Sequence, residues 1–425
     1  MADNRMTIEP APPIAESGSL AAFFRAMNPN EWRTFRACAG GWGLDGMDFM
    51  LYPLVIGTIM HQWAVGPGPA GFAATLTLLA SAIGGWLAGY VSDRIGRVRV
   101  LQITILWFSV FSLLSAFVQN FDQLIVCRAL LGFGFGGEWA AGAILMGETI
   151  RPQFRGRAVG SVQSAWAIGW GLAVLAQAII FSILPPAIAW RAMFAVGALP
   201  ALLVLYLRRN VVEPEISVAA RRTGSPGILA IFGRETIVIT LLGGLLSTGA
   251  QGGYYAITFW LPTFLKVDRH LSVVGSTGYL AILIAGSFVG YLTGAWLSDR
   301  LGRRMVFLIF SAGAIITILA YTQLTIPNNA MLVLGFPLGY FASGYFSAMG
   351  PFLTELFPTR LRGSGQGFTY NFGRGLGALF PALIGYLTQS IGYGNAIAIF
   401  AVAAYALFFL AAFALPETRG RVLTA

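Results

Sequence analysis

Charge is what this sequence most lacks. Asp, Glu, Lys and Arg make up 10% of its 425 residues, against about 25% in an ordinary soluble domain. A chain so poor in charge cannot clothe a water-facing surface, so its 56% of hydrophobic residues must meet lipid. One bilayer-spanning helix needs about 20 mainly apolar residues, which leaves room for about a dozen spans. Cysteine is nearly absent as well. Cys38 and Cys127 lie in or beside apolar runs, with no CxxC partner and no metal-ligand spacing. They read as small buried hydrophobes, which excludes a disulfide framework and a cysteine zinc site. His61 and His270 are loop residues without a cluster, so no metal is expected. No nucleophile–base constellation is present to make the chain an enzyme. The first 35 residues hold no apolar stretch of signal-peptide type, so the first span is expected to act as its own insertion signal.

What is present is a series of apolar runs. They lie near 36–60, 69–91, 99–119, 122–148, 156–183 and 190–208, then near 237–262, 272–297, 304–323, 328–353, 364–388 and 393–415. The predicted organisation is an amino-terminal segment (1–35), a six-helix bundle (36–208), a linker (209–236), a second six-helix bundle (237–415) and a tail (416–425). Of the 27 basic residues, 22 fall in the termini, the linker and alternate loops, while the opposite loops hold only Arg191, Lys266 and Arg269. The positive-inside rule therefore places both termini and the linker in the cytoplasm, as in a bacterial inner membrane. The net charge of +10 is accounted for by topology, and no nucleic-acid partner is expected.

The two halves repeat each other. Ser92-Asp93-Arg94-Ile95-Gly96-Arg97 follows the second span, and Ser298-Asp299-Arg300-Leu301-Gly302-Arg303 follows the eighth. Glu148, Arg155 and Gly156 follow the fourth span, and Glu355, Arg362 and Gly363 follow the tenth. Offsets of 206 and 207 residues mark duplication of a six-helix unit, a recurring transporter plan with the substrate near the midplane between halves.

The loop Gly89-Tyr90-Val91-Ser92-Asp93-Arg94-Ile95-Gly96-Arg97 resembles the Gly-x-x-x-Asp-Arg-x-Gly-Arg signature of the major facilitator superfamily. The second copy has Ala295 where the first glycine would stand. Asp45-Gly46-Met47-Asp48-Phe49 resembles the Asp-Gly-Phe-Asp signature of sialate:proton and aromatic-acid:proton symporters. Gly367-Phe368-Thr369-Tyr370-Asn371 and Leu261-Pro262-Thr263-Phe264-Leu265-Lys266 are similar to the sialate/monocarboxylate branch. Gly373-Arg374 with Gly377-Ala378 is similar to the aromatic-acid branch. The resemblance implies an all-α membrane protein with twelve transmembrane helices in two six-helix bundles, the major facilitator fold. It also implies proton-coupled symport of a small organic anion by a chain expected to function as a monomer, with protons as coupling ions and no other cofactor. Proton-driven efflux of a drug or metabolite, or a non-transporting solute sensor, remain alternatives.

Charged groups inside a bilayer cost several kcal/mol, so by default they face a cavity or one another and mark function. Asp45, Asp48 and Glu138 are the acids deep within spans, and Arg128 and Arg374 are the cations. Asp45 and Asp48 are three apart and share a helix face. Two close carboxylates resist simultaneous ionisation, which suits proton coupling. One of them could instead pair with Arg128, which is as well placed for an ion pair as for substrate. Glu138 is the third candidate for coupling. Arg374 lies beside Tyr370 and Asn371 in a half whose apolar spans hold no carboxylate. Its guanidinium can take a substrate carboxylate through two parallel hydrogen bonds, unless an acid of the facing half neutralises it. Gln251 and Tyr255, the repeat-related counterparts of the Asp45/Asp48 region, are further substrate contacts. Gly132, Gly134 and Gly137 match GxGxxG formally, but they stand mid-span without the strand a dinucleotide site requires. By the resemblance, Gly89, Asp93, Arg94, Gly96, Arg97, Glu148 and Arg155 form a cytoplasmic latch. Asp299, Arg300, Gly302, Arg303, Glu355 and Arg362 form its partner.

Overall fold

The computed structural model describes residues 20–151, 155–211, 228–357 and 361–419. The amino-terminal half contains α1 (Leu20–Ala26), α2 (Pro29–Trp63), α3 (Pro67–Ile95), α4 (Arg97–Ser115), α5 (Phe121–Thr149), α6 (Arg155–Ile183), α7 (Pro186–Val196) and α8 (Ala201–Asn210). The carboxy-terminal half contains α9 (Ile237–Val267), α10 (Val273–Leu301), α11 (Arg303–Gln323), α12 (Asn328–Ser343), α13 (Phe346–Leu356), α14 (Arg362–Gly377), α15 (Phe380–Ile391) and α16 (Tyr393–Ala414). Among the described residues there is no strand.

The ends of the helices follow from local chemistry. Asn28 and Glu31 close a capping box on α2, the Asn28 side chain accepting from the Glu31 N–H at 2.8 Å and Glu31 from the Asn28 N–H at 2.9 Å. Asn120 and Ser272 cap α5 and α10 in the same way, each accepting from the N–H three residues on, which satisfies donors that a helix start leaves orphaned. Gly96 (φ 108°) and Gly302 (φ 96°) join α3 to α4 and α10 to α11. That left-handed region penalises a Cβ, so a glycine stands at the same place in both repeated loops.

Two features differ from the expected spans. Helix α2 starts at Pro29, and α1 with the first turns of α2 occupies part of the stretch assigned to the amino-terminal segment. Three expected spans are each built from two helices: α7 and α8 meet at 197–200, α12 and α13 at 344–345, and α14 and α15 at 378–379.

Among the described residues, eight rods are long and apolar enough to cross a membrane: α3, α4, α6, α7 with the start of α8, α10, α11, α12 with most of α13, and α16. The other four rods are α2, α5, α9 and α14–α15. They carry Asp45 and Asp48, Arg128 and Glu138, Gln251, and Arg374 respectively. Large apolar side chains such as Ile83, Ile103, Val238 and Ile316 point outward, 54–68% exposed, as lipid-facing residues do. The halves meet where α3 packs on α14 and α15, α6 on α10 and α13, and α2 on α9. At the end of the molecule away from the arginine-rich loops, glycines let backbones touch: a Cβ on Gly71 would come within 2.3 Å of the Pro381 carbonyl.

Candidate functional site

These four rods, with α6, α10 and α13, surround a slim cavity between the halves. Aromatic rings make most of its wall: Trp42, Phe49, Phe135 and Trp166 from the amino-terminal half, and Tyr254, Tyr255, Tyr291, Phe346 and Tyr370 from the other. Gln163, Gln251 and Arg374 complete it. A hydrogen bond from the Trp166 indole N–H to the Tyr254 hydroxyl, 2.6 Å, crosses from one half to the other.

Arg374 enters this cavity from α14 and is 2% exposed. Its Nη1 donates to Ser81 Oγ of α3 at 3.0 Å, and its guanidinium lies 5.2 Å from the Tyr370 ring centre and 5.5 Å from that of Phe135. Its Nε has no acceptor. The ion pairs closer than 4 Å among the described residues are Arg151–Glu31, Arg303–Asp299 and Arg303–Glu355, so no protein carboxylate closes on Arg374. Asp45 and Glu138 act on it across the cavity at longer range. Gln251 braces the site: its amide donates to the Tyr370 carbonyl at 2.8 Å, and its oxygen accepts from the Tyr255 hydroxyl at 3.1 Å.

The three intramembrane acids divide between two places. Asp45 and Glu138 are electrostatic neighbours, and none of their carboxyl oxygens has a hydrogen-bond partner among the described residues. The Glu138 carboxyl occupies a notch left by Gly41, where a Cβ would lie 2.3 Å from Oε1. Asp48 turns instead into the amino-terminal bundle, accepting from the Ser112 hydroxyl of α4 beside the α7–α8 bend at Gly197. Arg128 is the cation next to it. That guanidinium is 2% exposed, lies 5.2 Å from the Tyr52 ring centre and 5.8 Å from that of Phe194, and leaves Nε and Nη1 without an acceptor.

Arg374, Tyr370, Gln251 and Tyr255 therefore line the cavity; Arg128 and Asn371 do not. Asn371 donates to the Gly367 carbonyl of its own helix at 3.0 Å and rests its oxygen against Gly85 of α3, a contact between the halves. Sequence reasoning missed Ser81, Ser112 and Gln163, single hydroxyls and an amide that only the packing singles out. It also missed Phe135, which stands inside the glycine run set aside as no dinucleotide site.

Of the residues expected to form the latch, Arg303 meets Asp299 and Glu355, both at 3.2 Å, and donates to the Ser298 carbonyl at 2.9 Å. Arg97 donates to Ser92 Oγ at 2.6 Å. Arg300 stacks on Trp296, 4.2 Å from the ring centre, away from this group. The side chains of Gly89, Asp93, Arg94, Glu148, Arg155 and Arg362 lie outside the described residues. Two carboxylates not anticipated from sequence reinforce the same end. Glu417 accepts from the backbone N–H groups of Arg303 and Arg304, both at 3.0 Å, capping α11, while Thr418 donates to Glu355 at 2.6 Å. Glu31 accepts from the Arg151 backbone and guanidinium at 2.9–3.1 Å. Partial burial pushes the Glu31 carboxyl up, but the Arg151 guanidinium and the Asn28 and Arg151 N–H groups outweigh it and hold the group below its ordinary range. Burial likewise opposes, and the N–H groups of Arg419, Arg303, Arg304 and Thr418 overcome, the same balance at Glu417.

Two six-helix halves around a buried cavity walled by aromatic rings and carrying a buried arginine define a multi-pass membrane transporter. The chain belongs to the Major Facilitator Superfamily, whose family description matches residues 38–327 and 280–424, and it is a transporter, not an enzyme. It is 40% identical over 403 residues to a probable 4-methylmuconolactone transporter of Cupriavidus pinatubonensis, covering 94% of each chain. It is 28% identical to the cis,cis-muconate transport protein of Acinetobacter baylyi, covering 83% of this chain and 86% of that one. A solved structure of the proton:xylose symporter XylE, bound to 6-bromo-6-deoxy-D-glucose, shares its fold. The TM-score is 0.73, at 19% identity, over 93% of this chain and 98% of that one.

Proposed function

We propose that this protein is a proton-coupled symporter that imports a small, flat organic acid, aromatic or unsaturated, by alternating access. Arg374 carries the reading. A buried guanidinium with an idle donor, no carboxylate within 4 Å and two rings against it is a receptor for a planar carboxylate. The aromatic walls favour flat substrates over bulky polar ones, in keeping with the muconate-derived compounds named for the relatives. Asp45 and Glu138 share the coupling proton, and Asp48 takes one beside Arg128. Anion on Arg374 and proton on the acids together cancel charge in the cavity, which lowers the cost of closing it. In the proposed topology the arginine-rich loops, both termini and the latch face the cytoplasm of a bacterial inner membrane. Each chain encloses a complete cavity and acts as a monomer.

Proteoliposomes given an inward proton gradient should accumulate members of a labelled panel (benzoate, 4-hydroxybenzoate, nicotinate, cis,cis-muconate) in preference to N-acetylneuraminate. Uptake should fall at least a hundredfold in Arg374→Ala and lose its dependence on the gradient in Asp45→Asn. Equal uptake with and without a gradient, or transport of neutral solutes only, would overturn the proposal.

A further inference from the structure

A second cavity opens between the halves at the end away from the arginine-rich loops, the outer end in the topology proposed above. Its walls are the last turns of α2, the first residues of α7 and the last turns of α9. Into it come the side chains of Thr58, His61, Gln62, Thr263 and Lys266. Lys266 belongs to the Leu261–Lys266 motif, which the central site leaves unused, and it is the chain's single lysine beside 26 arginines. Its ammonium donates to the Leu54 carbonyl at 3.3 Å, across the boundary between halves, and to no carboxylate. That carbonyl already accepts from Gln177 at 2.7 Å, so Lys266 has donors to spare. The other two basic residues of this end are occupied: Arg191 donates to the Ala116 and Val118 carbonyls, and Arg269 to the Ile326 carbonyl and the Met331 sulfur.

The vestibule and the central cavity lie along the same two helices. Along α2 and α9 the order is Phe49 and Tyr255 at the central cavity, then Tyr52 against Phe259 with ring centres 5.7 Å apart, then Thr58 and Thr263 in the vestibule. The buried Tyr52–Phe259 pair therefore stands between the two cavities along these helices.

We propose that the vestibule is an outer loading site for carboxylates, in which Lys266 is the counter-ion and the acid waits before passing the Tyr52–Phe259 pair to Arg374. The inference rests on the organic-acid reading for its cargo, but binding at Lys266 can be measured without transport. A compact ammonium with free donors suits a transient site, because it gives charge without the two-point geometry by which a guanidinium holds a carboxylate.

The single lysine makes the test specific. Reductive methylation with labelled formaldehyde preserves the charge and marks only Lys266 and the chain's terminal amine. Titration of the reconstituted full-length protein with benzoate should shift the Lys266 carbon-13 resonance in the native chain and equally in Arg374→Ala. No shift, or a shift lost in Arg374→Ala, overturns the loading site, the latter because the signal would then report only central binding. In transport, Lys266→Gln should lower uptake at subsaturating acid about tenfold and flatten its dependence on ionic strength, as loss of a steering charge does, with the maximal rate retained. Lys266→Arg should recover most of it. An unchanged rate in Lys266→Gln counts against the proposal. Failure of uptake by every acid of the panel would strike the organic-acid reading and leave the resonance test to decide the site.

Discussion

At the scale of single residues, the intramembrane charges were legible in the sequence and their partners were not. Asp45, Asp48, Glu138, Arg128 and Arg374 stand out because each is costly in a bilayer. Spacing suggested that Asp45 and Asp48 act together, yet three residues fall about 60° short of a full helical turn. In a crowded bundle that rotation aims Asp45 at Glu138 and Asp48 at Ser112. Gly41 shows what else spacing hides, since its missing side chain is the space the Glu138 carboxyl occupies. Gly41→Ala should push that carboxyl aside, lower uptake at least tenfold and cost about 1–3 kcal/mol of stability, as overpacking does. Gly41→Ala with Glu138→Ala should regain the melting temperature and leave uptake absent. Recovery of transport in the double variant would show that the carboxyl is dispensable.

At the scale of elements, twelve spans could be counted from apolar runs, whereas the breaks within three of them could not. A bend of two to four residues at 197–200, 344–345 or 378–379 hardly alters the hydropathy of the stretch around it. The repeated glycines were visible as repeats, and the structure supplies the reason, a left-handed joint at Gly96 and Gly302. Invisible from sequence was the return of the tail to cap α11 through Glu417. Because its carboxyl titrates below the ordinary range in the folded chain, the cap contributes stability above the unfolded value of about 4.3. That contribution is lost as pH falls through the lower folded value. Glu417→Gln should therefore melt earlier than the native chain at pH 7, by the equivalent of about 1 kcal/mol at most for a partly exposed cap. The two melting curves should converge as the pH is taken below 4. A gap that persists unchanged in acid would mean that the carboxylate charge is not what matters.

At the scale of the whole molecule, the repeat predicted two halves with acids in one and an arginine in the other. The structure brings these together: Arg374 reaches Ser81 and lies within the influence of Asp45 and Glu138. The bond from Trp166 to Tyr254 is a second tie across the same boundary. A neutral hydrogen bond contributes about 1 kcal/mol net, so Trp166→Phe should shift the balance between closed and open arrangements about fivefold toward open. Single-molecule energy transfer between dyes on the two halves measures that shift, and an unchanged distribution would remove Trp166 from the closure.

Trp166 also lies with its ring centre 4.8 Å from that of Trp42 at the wall of the central cavity. Two indoles so near one another share their electronic excitation, and an aromatic guest sliding between or beside them would alter the shared bands. Under the proposed function, the wall that would receive the cargo would for that reason also be an optical sensor. Near-ultraviolet circular dichroism of the unlabelled protein can follow loading and emptying of the cavity directly.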